Sequence, residues 1–218
     1  FTPSSSAIFC CRVTGPPSSG SSLPHCENVC VKLLVAALAS ELQAFPAELP
    51  DFDRLVTGPG KLMAAVGLTR ALDAHLADQY EEIVVVGTAG AVSDDVESGI
   101  YDVAAAIQHD VQDLDGVLGQ HVSLPTRVET GRVGVTIATG DIFVDDADAT
   151  ARIRSLGGVL VDMETFALVW VAQQFGVPIR VLRVVSDRAQ DGATQVWDEV
   201  VAACSAQLWA HVQREYEV

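Results

Sequence analysis

The sequence predicts an α/β fold: a single domain of layered strands and helices around a largely central sheet. Three observations carry this expectation. Short apolar runs alternate with longer segments of helical spacing from Val31 to the C-terminus. Several runs end in small or polar residues, as at Gly58-Pro59-Gly60 and Gly87-Thr88-Ala89-Gly90. No internal repeat or linker divides residues 31–218, and a 218-residue chain that is 49% hydrophobic can bury one sizeable core.

The elements follow in order. Val31 to Ala37 is a short apolar run, as for a buried strand, and Leu55-Val56-Thr57 is a second. Lys61 to about Gln79 has helical spacing, with Leu62, Val66, Leu68, Leu72 and Leu76 apolar. Ile83 to Val86 is a third strand, ending in the small-residue turn Gly87 to Gly90. Tyr101 to Ile107 and Val133 to Ala138 are two more. Val159-Leu160-Val161 leads directly into a helix from Met163 to about Phe175. Ile179 to Val185 is a strand that ends at Ser186-Asp187, and Trp197 to Tyr216 is a closing helix.

Residues 1 to about 29 differ in composition. They are rich in Ser, Pro and Gly and cannot bury a core, so they read as a disordered or non-native leader before a domain at 30–218. A transit peptide is the weaker alternative, since the single Arg12 is few for that purpose. Four of the five cysteines, Cys10, Cys11, Cys26 and Cys30, precede residue 31, and the fifth is Cys204. An odd count in a chain of this size does not resemble a disulfide scaffold. Cys26, Cys30 and His25 lack a second ligand pair downstream, so no metal site is expected.

Thirteen Lys and Arg stand against 29 Asp and Glu, a net charge of -16. That field repels a polyanion, which argues against a nucleic-acid partner, while a small ligand of little net charge meets no such barrier. No apolar run is long enough to span a bilayer, so the chain reads as soluble, with no membrane partner and a cytoplasmic location expected.

In open α/β sheets ligands bind beyond the carboxyl ends of the strands. The polar residues at those positions are Glu41, Thr88, Gly140-Asp141, Asp162-Met163-Glu164 and Ser186-Asp187. Glu164 and Asp187 are carboxylates beside buried-looking strands, which is costly unless they are paired or used. Each also reads as a helix-start acid favoured by the helix dipole. Arg183, four residues before Asp187, favours a site. Glu41 behind Ser40 also reads as an N-terminal helix acid. The turn from Gly87 through Thr88 to Gly90 would let a ligand approach the backbone. Gly58-Pro59-Gly60-Lys61 lacks the spacing of a phosphate-binding P-loop. No His pair has metal-ligand spacing and no G-x-S-x-G elbow is present. His109 beside Asp110 is either a polarised imidazole or a surface or interface residue.

The order of these segments resembles the nucleoside phosphorylase family, in particular its 5′-methylthioadenosine/S-adenosylhomocysteine nucleosidases. Thr139-Gly140-Asp141-Ile142-Phe143-Val144 is similar to the family's base-binding segment, Val161-Asp162-Met163-Glu164 to its ribose-binding V-E-M-E motif, and Arg183-Val184-Val185-Ser186-Asp187 to its R-x-x-S-D motif. Thr57 to Lys61 and Gly87 to Gly90 match its small-residue turns less specifically.

The resemblance implies a single domain of three layers, α/β/α, with a central mixed sheet, and a purine-nucleoside N-ribosyl hydrolase needing no metal or organic cofactor. Asp187 would donate a proton to purine N7, with Ser186 helping to hold it. Glu164 would bind the ribose hydroxyls and Met163 would pack on the sugar. Phe143 would stack on the base and the Val144 backbone would read its edge. Glu41 would position and activate water, assisted by Arg183 and Thr88. Trp197 would cover the 5′ substituent. The family also implies a homodimer, with His109-Asp110 near its interface.

The chemistry is coherent on physical grounds. A purine leaves readily once N7 is protonated, and burial raises carboxyl pKa values enough to supply such an acid. Negative charge stabilises the ribosyl cation, and a second carboxylate serves the attacking water. A phosphorylase would need cationic phosphate ligands, whereas Leu38-Ala39-Ser40-Glu41 offers none. Four departures fall near the sugar or the 5′ pocket: a short stretch between Glu41 and Gly58, Asp162 for Glu, Gln108 for an aromatic residue, and a short stretch between Phe143 and Met163. A phosphate-dependent phosphorylase, a futalosine-type hydrolase and a non-catalytic nucleoside-binding member are the alternatives.

Overall fold

The computed structural model describes residues 31–73, 80–189 and 197–218. Its elements are β1 (Val31–Ala36), a 3-10 turn (Ala39–Leu42), β2 (Phe52–Val56), α1 (Lys61–Asp73), β3 (Tyr80–Ala91), β4 (Ile100–Gln108), β5 (Arg127–Glu129), β6 (Val135–Thr139), α2 (Ala147–Ser155), β7 (Leu160–Asp162), α3 (Thr165–Phe175), β8 (Ile179–Asp187) and α4 (Trp197–Tyr216). The expected leader at residues 1–29, the four cysteines within residues 1–30, and the end of the first expected helix, including Leu76, lie outside the described residues.

The sheet is mixed. Its strands run β2-β1-β3-β7-β6-β4-β5, and β8 pairs with both β3 and β4. Strands β3, β7, β6, β4 and β8 therefore close into a ring, with β1 and β2 extending from its β3 side. The twelve-residue β3 makes this possible. It pairs in parallel with β1 along its first half, in parallel with β8 along most of its length, and antiparallel with β7 only at Gly90 and Ala91.

Helices cover both faces. On one side α1 and α3 bury Leu68, Leu72, Phe166 and Leu168 against Val85, Ile137 and Val181. On the other, α4 presents Cys204, Leu208 and Val212 at helical spacing to Leu34, Val84 and Leu182. Leu42 and Phe45 of the β1–β2 connection join this second cluster, and the Phe45 and Trp209 rings lie 5.3 Å apart. That connection is thus docked on α4, where the Ala44 N–H also donates to Ser205 Oγ at 3.1 Å.

Two elements escape pattern reading. β5 has only three residues. In α2 only Thr150 and Ile153 are buried, so the apolar face is too thin to show; its start is marked instead by Asp146, whose side chain accepts from the Ala149 N–H at 2.7 Å. Gly87 to Gly90 is not a turn after a strand, because β3 runs through it to Ala91. The small residues there have a different cause. A Cβ on Gly87 would overlap the Arg183 guanidinium, and one on Gly90 would crowd Asp187 Oδ1 at 3.1 Å. Among the described residues no helix is long and apolar enough to cross a membrane.

Candidate active site

Strand ends from distant parts of the chain line one cleft. Ala37, Leu38 and Glu41 follow β1; Thr88, Ala89 and Gly90 lie in β3; Ile142, Phe143 and Val144 follow β6. Asp162, Met163 and Glu164 lie at the end of β7, and Ser186 and Asp187 close β8. Four carboxylates line the cleft, and none of the described lining residues is Lys or Arg.

Glu41 is 3% exposed and saturated with donors. Its Oε2 accepts from the N–H groups of Ala37 (3.1 Å) and Leu38 (3.0 Å), and its Oε1 accepts from the Thr88 N–H (2.8 Å) and hydroxyl (3.2 Å). The 3-10 turn bends the chain back so that this carboxylate bridges the ends of β1 and β3. A simple helix-start role covers only its bond to Leu38. The Thr88 hydroxyl is its longest contact and the easiest to exchange for a water.

Arg183 lies beneath the cleft with a side chain 1% exposed. Its Nη2 donates to Asp162 Oδ2 at 2.6 Å and to Thr165 Oγ1 at 2.9 Å, and its Nε donates to Thr165 Oγ1 at 3.2 Å. Asp162 is held further by the Thr139 hydroxyl (2.7 Å), the Thr165 N–H (3.0 Å) and the Thr165 hydroxyl (2.5 Å). Burial alone would lower the Arg183 pKa, but Asp162, Glu164 and Glu41 outweigh it and the net shift is upward.

Glu164 precedes α3 yet makes no side-chain cap to it, so the helix-start reading of this acid is set aside. Its Oε1 instead accepts from the Gly60 N–H at 2.8 Å, and its Oε2 stands 3.8 Å from Arg183 Nη2. Burial, then the neighbouring Asp162, push its carboxyl up to about 7, against the pull of Arg183. Asp187 is fixed by the Ser186 hydroxyl (2.7 Å on Oδ2) and the Ala189 N–H (2.8 Å on Oδ1). A register shift between Ala89 and Gly90 sets Asp187 opposite Gly90.

A polar cluster gathers around Lys61, the residue after Gly60. Lys61 Nζ donates to Asp110 Oδ1 at 2.6 Å and to Gln108 Oε1 at 3.2 Å, and the Lys61 N–H donates to Asp141 Oδ1 at 2.8 Å. Asp110 therefore serves Lys61 rather than polarising His109. The half-buried His109 ring packs on Gly140, and burial lowers its pKa although Asp110 pulls the other way.

Of the residues singled out from sequence, Glu41, Glu164, Asp187, Thr88, Gly90, Phe143, Val144, Met163 and Ser186 meet at the cleft. Arg183 lies under it. Trp197 begins α4, and its side chain lies outside the described residues. Sequence reasoning assigned no role to Thr165, named Thr139 only as the first residue of the base-binding segment, and placed Asp162 at a strand end within the ribose-binding motif without a partner. A signal was present: Asp162 and Thr165 have the three-residue spacing of a helix cap. Among the described residues no group of three or more His, Cys, Asp or Glu side chains is placed to hold a metal ion.

A family model described as the phosphorylase superfamily matches residues 118–212. The 5′-methylthioadenosine/S-adenosylhomocysteine nucleosidase of Bacillus licheniformis is 32% identical over 158 residues, covering 62% of this chain and 67% of that protein. Two Helicobacter pylori structures share the fold at 20% identity. A 5′-methylthioadenosine/S-adenosylhomocysteine nucleosidase with butyl-thio-DADMe-Immucillin-A has a TM-score of 0.74 over 86% of this chain and 98% of its own. A futalosine hydrolase has a TM-score of 0.75 over 87% and 98%.

Proposed function

Because the chain belongs to the 5′-methylthioadenosine/S-adenosylhomocysteine nucleosidase family of the phosphorylase superfamily, we propose that it hydrolyses the N-glycosidic bond of such purine nucleosides to free base and sugar. The observation that carries this reading is the convergence of Glu41, Glu164 and Asp187 on one cleft. Asp187 protonates N7 as the bond to C1′ breaks, and the base leaves neutral. The bonds from Ser186 and Ala189 aim it. The sugar becomes cation-like, and Glu164 and the other carboxylates stabilise it while Glu164 takes its hydroxyls. Water adds to C1′ from the face opposite the base, held by Glu41 and Thr88, and gives up its proton to Glu41. Met163 packs on the sugar, Phe143 on the base, the Val144 backbone reads the base edge, and Gly90 supplies room. Trp197 covers the 5′ substituent.

Water rather than phosphate is the nucleophile in this reading. A phosphate entering the cleft would meet four carboxylates and no lining Lys or Arg among the described residues, and Arg183 is already engaged by Asp162 and Thr165. A homodimer belongs to the same proposal. It is supported by the exposed apolar side chains Leu62, Met63, Ile142 and Phe143 of segments joined by the Lys61–Asp141 bond. Residues 1–29 stand outside the catalytic unit in this reading, and the cytoplasm is its compartment.

The test is incubation with methylthioadenosine, S-adenosylhomocysteine, inosine and adenosine, each with and without phosphate. Base and free sugar are expected from the first two without phosphate. Release only with phosphate, yielding a sugar 1-phosphate, would overturn the hydrolase reading. Binding of adenine without any turnover would make the chain a nucleoside-binding member of its family.

A further inference from the structure

We propose that Thr165 is a positioning residue for the sugar-binding carboxylate. Its hydroxyl, bridging Asp162 and Arg183, holds the guanidinium off Glu164 and leaves Glu164 Oε2 open to the substrate. The inference rests on the sugar-binding role given to Glu164 above.

The geometry is that of a latch. Thr165 Oγ1 donates to Asp162 Oδ2 at 2.5 Å and accepts from Arg183 Nε at 3.2 Å and Nη2 at 2.9 Å. Thr165 is fully buried and Arg183 nearly so, so bulk water cannot replace a lost contact there. Asp162, with the short side chain, is the fixed end, since Thr139 and the Thr165 N–H also hold it. The Thr139 hydroxyl in turn accepts from the Phe166 N–H at 3.0 Å.

The guanidinium has an alternative partner. Glu164 Oε2 is 3.8 Å from Nη2, beyond hydrogen-bond distance, while Oε1 is occupied by the Gly60 N–H at 2.8 Å. The charged groups facing Glu164 are Asp162 on β7, Arg183 on β8 and Glu41 on the 3-10 turn. Arg183 is the only cation among them. Without the Thr165 hydroxyl, Arg183 Nε has no acceptor among the described residues, and Nη2 keeps only Asp162 there. A small rotation toward Oε2 then forms a direct ion pair. That pair would occupy the oxygen meant for the sugar hydroxyl and would make Glu164 easier to ionise.

The experiment compares wild type, Thr165→Val and Thr165→Ser. It measures methylthioadenosine kinetics and a carbon-13 NMR titration of the Glu164 side chain in the free protein. In Thr165→Val, KM should rise about tenfold as the sugar hydroxyl loses its acceptor, and kcat should fall as well because Glu164 also faces the cation-like sugar. The Glu164 titration should move to lower pH. Thr165→Ser should restore both. An unmoved Glu164 titration in the valine variant overturns the latch, as does a serine variant that behaves like valine. Should valine fail to fold, Thr165→Ala removes the hydroxyl without adding bulk. A wild type that releases no base overturns the proposed function instead, and the titration still tests the latch.

Discussion

Two arginines on β8, three residues apart, point to opposite faces of the strand and differ in consequence. Arg180, near the amino end, grips Asp102 with two bonds of 2.7 and 3.0 Å and Glu215 with one of 3.1 Å. It also lies 5.9 Å from the Tyr216 ring centroid. Its partners reach solvent, with side chains 30% and 45% exposed. Its pKa is raised, first by the hydrogen bond to Asp102. Arg183, toward the carboxyl end, has Asp162 and Glu164 beside it with side chains 1% and 8% exposed. The outer arginine staples the end of α4 to the sheet. The inner one balances carboxylates that face a cleft, where desolvation makes every unpaired charge costly.

The sharpest way to separate the two ends is Asp187→Asn, at the last residue of β8. Turnover of methylthioadenosine should fall about 10³-fold or more, with the melting temperature unchanged. Undiminished purine release would end the assignment of Asp187 as the proton donor. Next comes Arg183→Met, which leaves Asp162, Glu164 and Glu41 without their shared cation. Stability in urea should drop by about 3–5 kcal/mol, and a loss below about 1 kcal/mol would mean that the carboxylates neutralise one another by taking up protons.

A pH series sharpens the comparison further. The Glu164 carboxyl, ordinarily near 4.5, is pushed up to about 7 by burial and Asp162. Its pKa is raised in the folded state, so the stability it contributes is full below about 4.5 and is lost as pH rises through about 7. Wild type should therefore lose up to about 3 kcal/mol across that window that Glu164→Gln does not lose. Identical slopes in the two proteins would show that Glu164 titrates normally. The smallest effect is expected at the outer end. Arg180→Met should cost about 1–2 kcal/mol, because the bidentate grip on Asp102 is half shielded from solvent, should leave kcat/KM unchanged, and should cost less in high salt. A loss as large as that of Arg183→Met would erase the distinction.

Much of this layout is readable along the chain, and what is missing has local causes. The strands β1, β3, β4, β6 and β8 and the helices α1, α3 and α4 announce themselves through apolar runs and helical spacing. β5 is too short and α2 too sparsely buried to leave such a pattern. The site acids could be located at strand ends, but not their duties. The Glu164 position also fits a helix-start acid, and only its partner shows otherwise, since the Gly60 N–H lies 104 residues away in sequence. The Glu41 bond to Thr88 likewise spans 47 residues.

By itself, then, the sequence determined the alternation of strand and helix, the acidic character of the chain and the identity of the carboxylates. These are properties of composition and of short-range period, which a chain carries before it folds. Tertiary structure alone decided that five strands close into a ring, that Gly87 is small because a guanidinium passes it, and that Thr165 joins Asp162 to Arg183. The reason is that a buried polar group takes its meaning from the partner that satisfies it. At this site those partners come from strands and turns that only packing brings together.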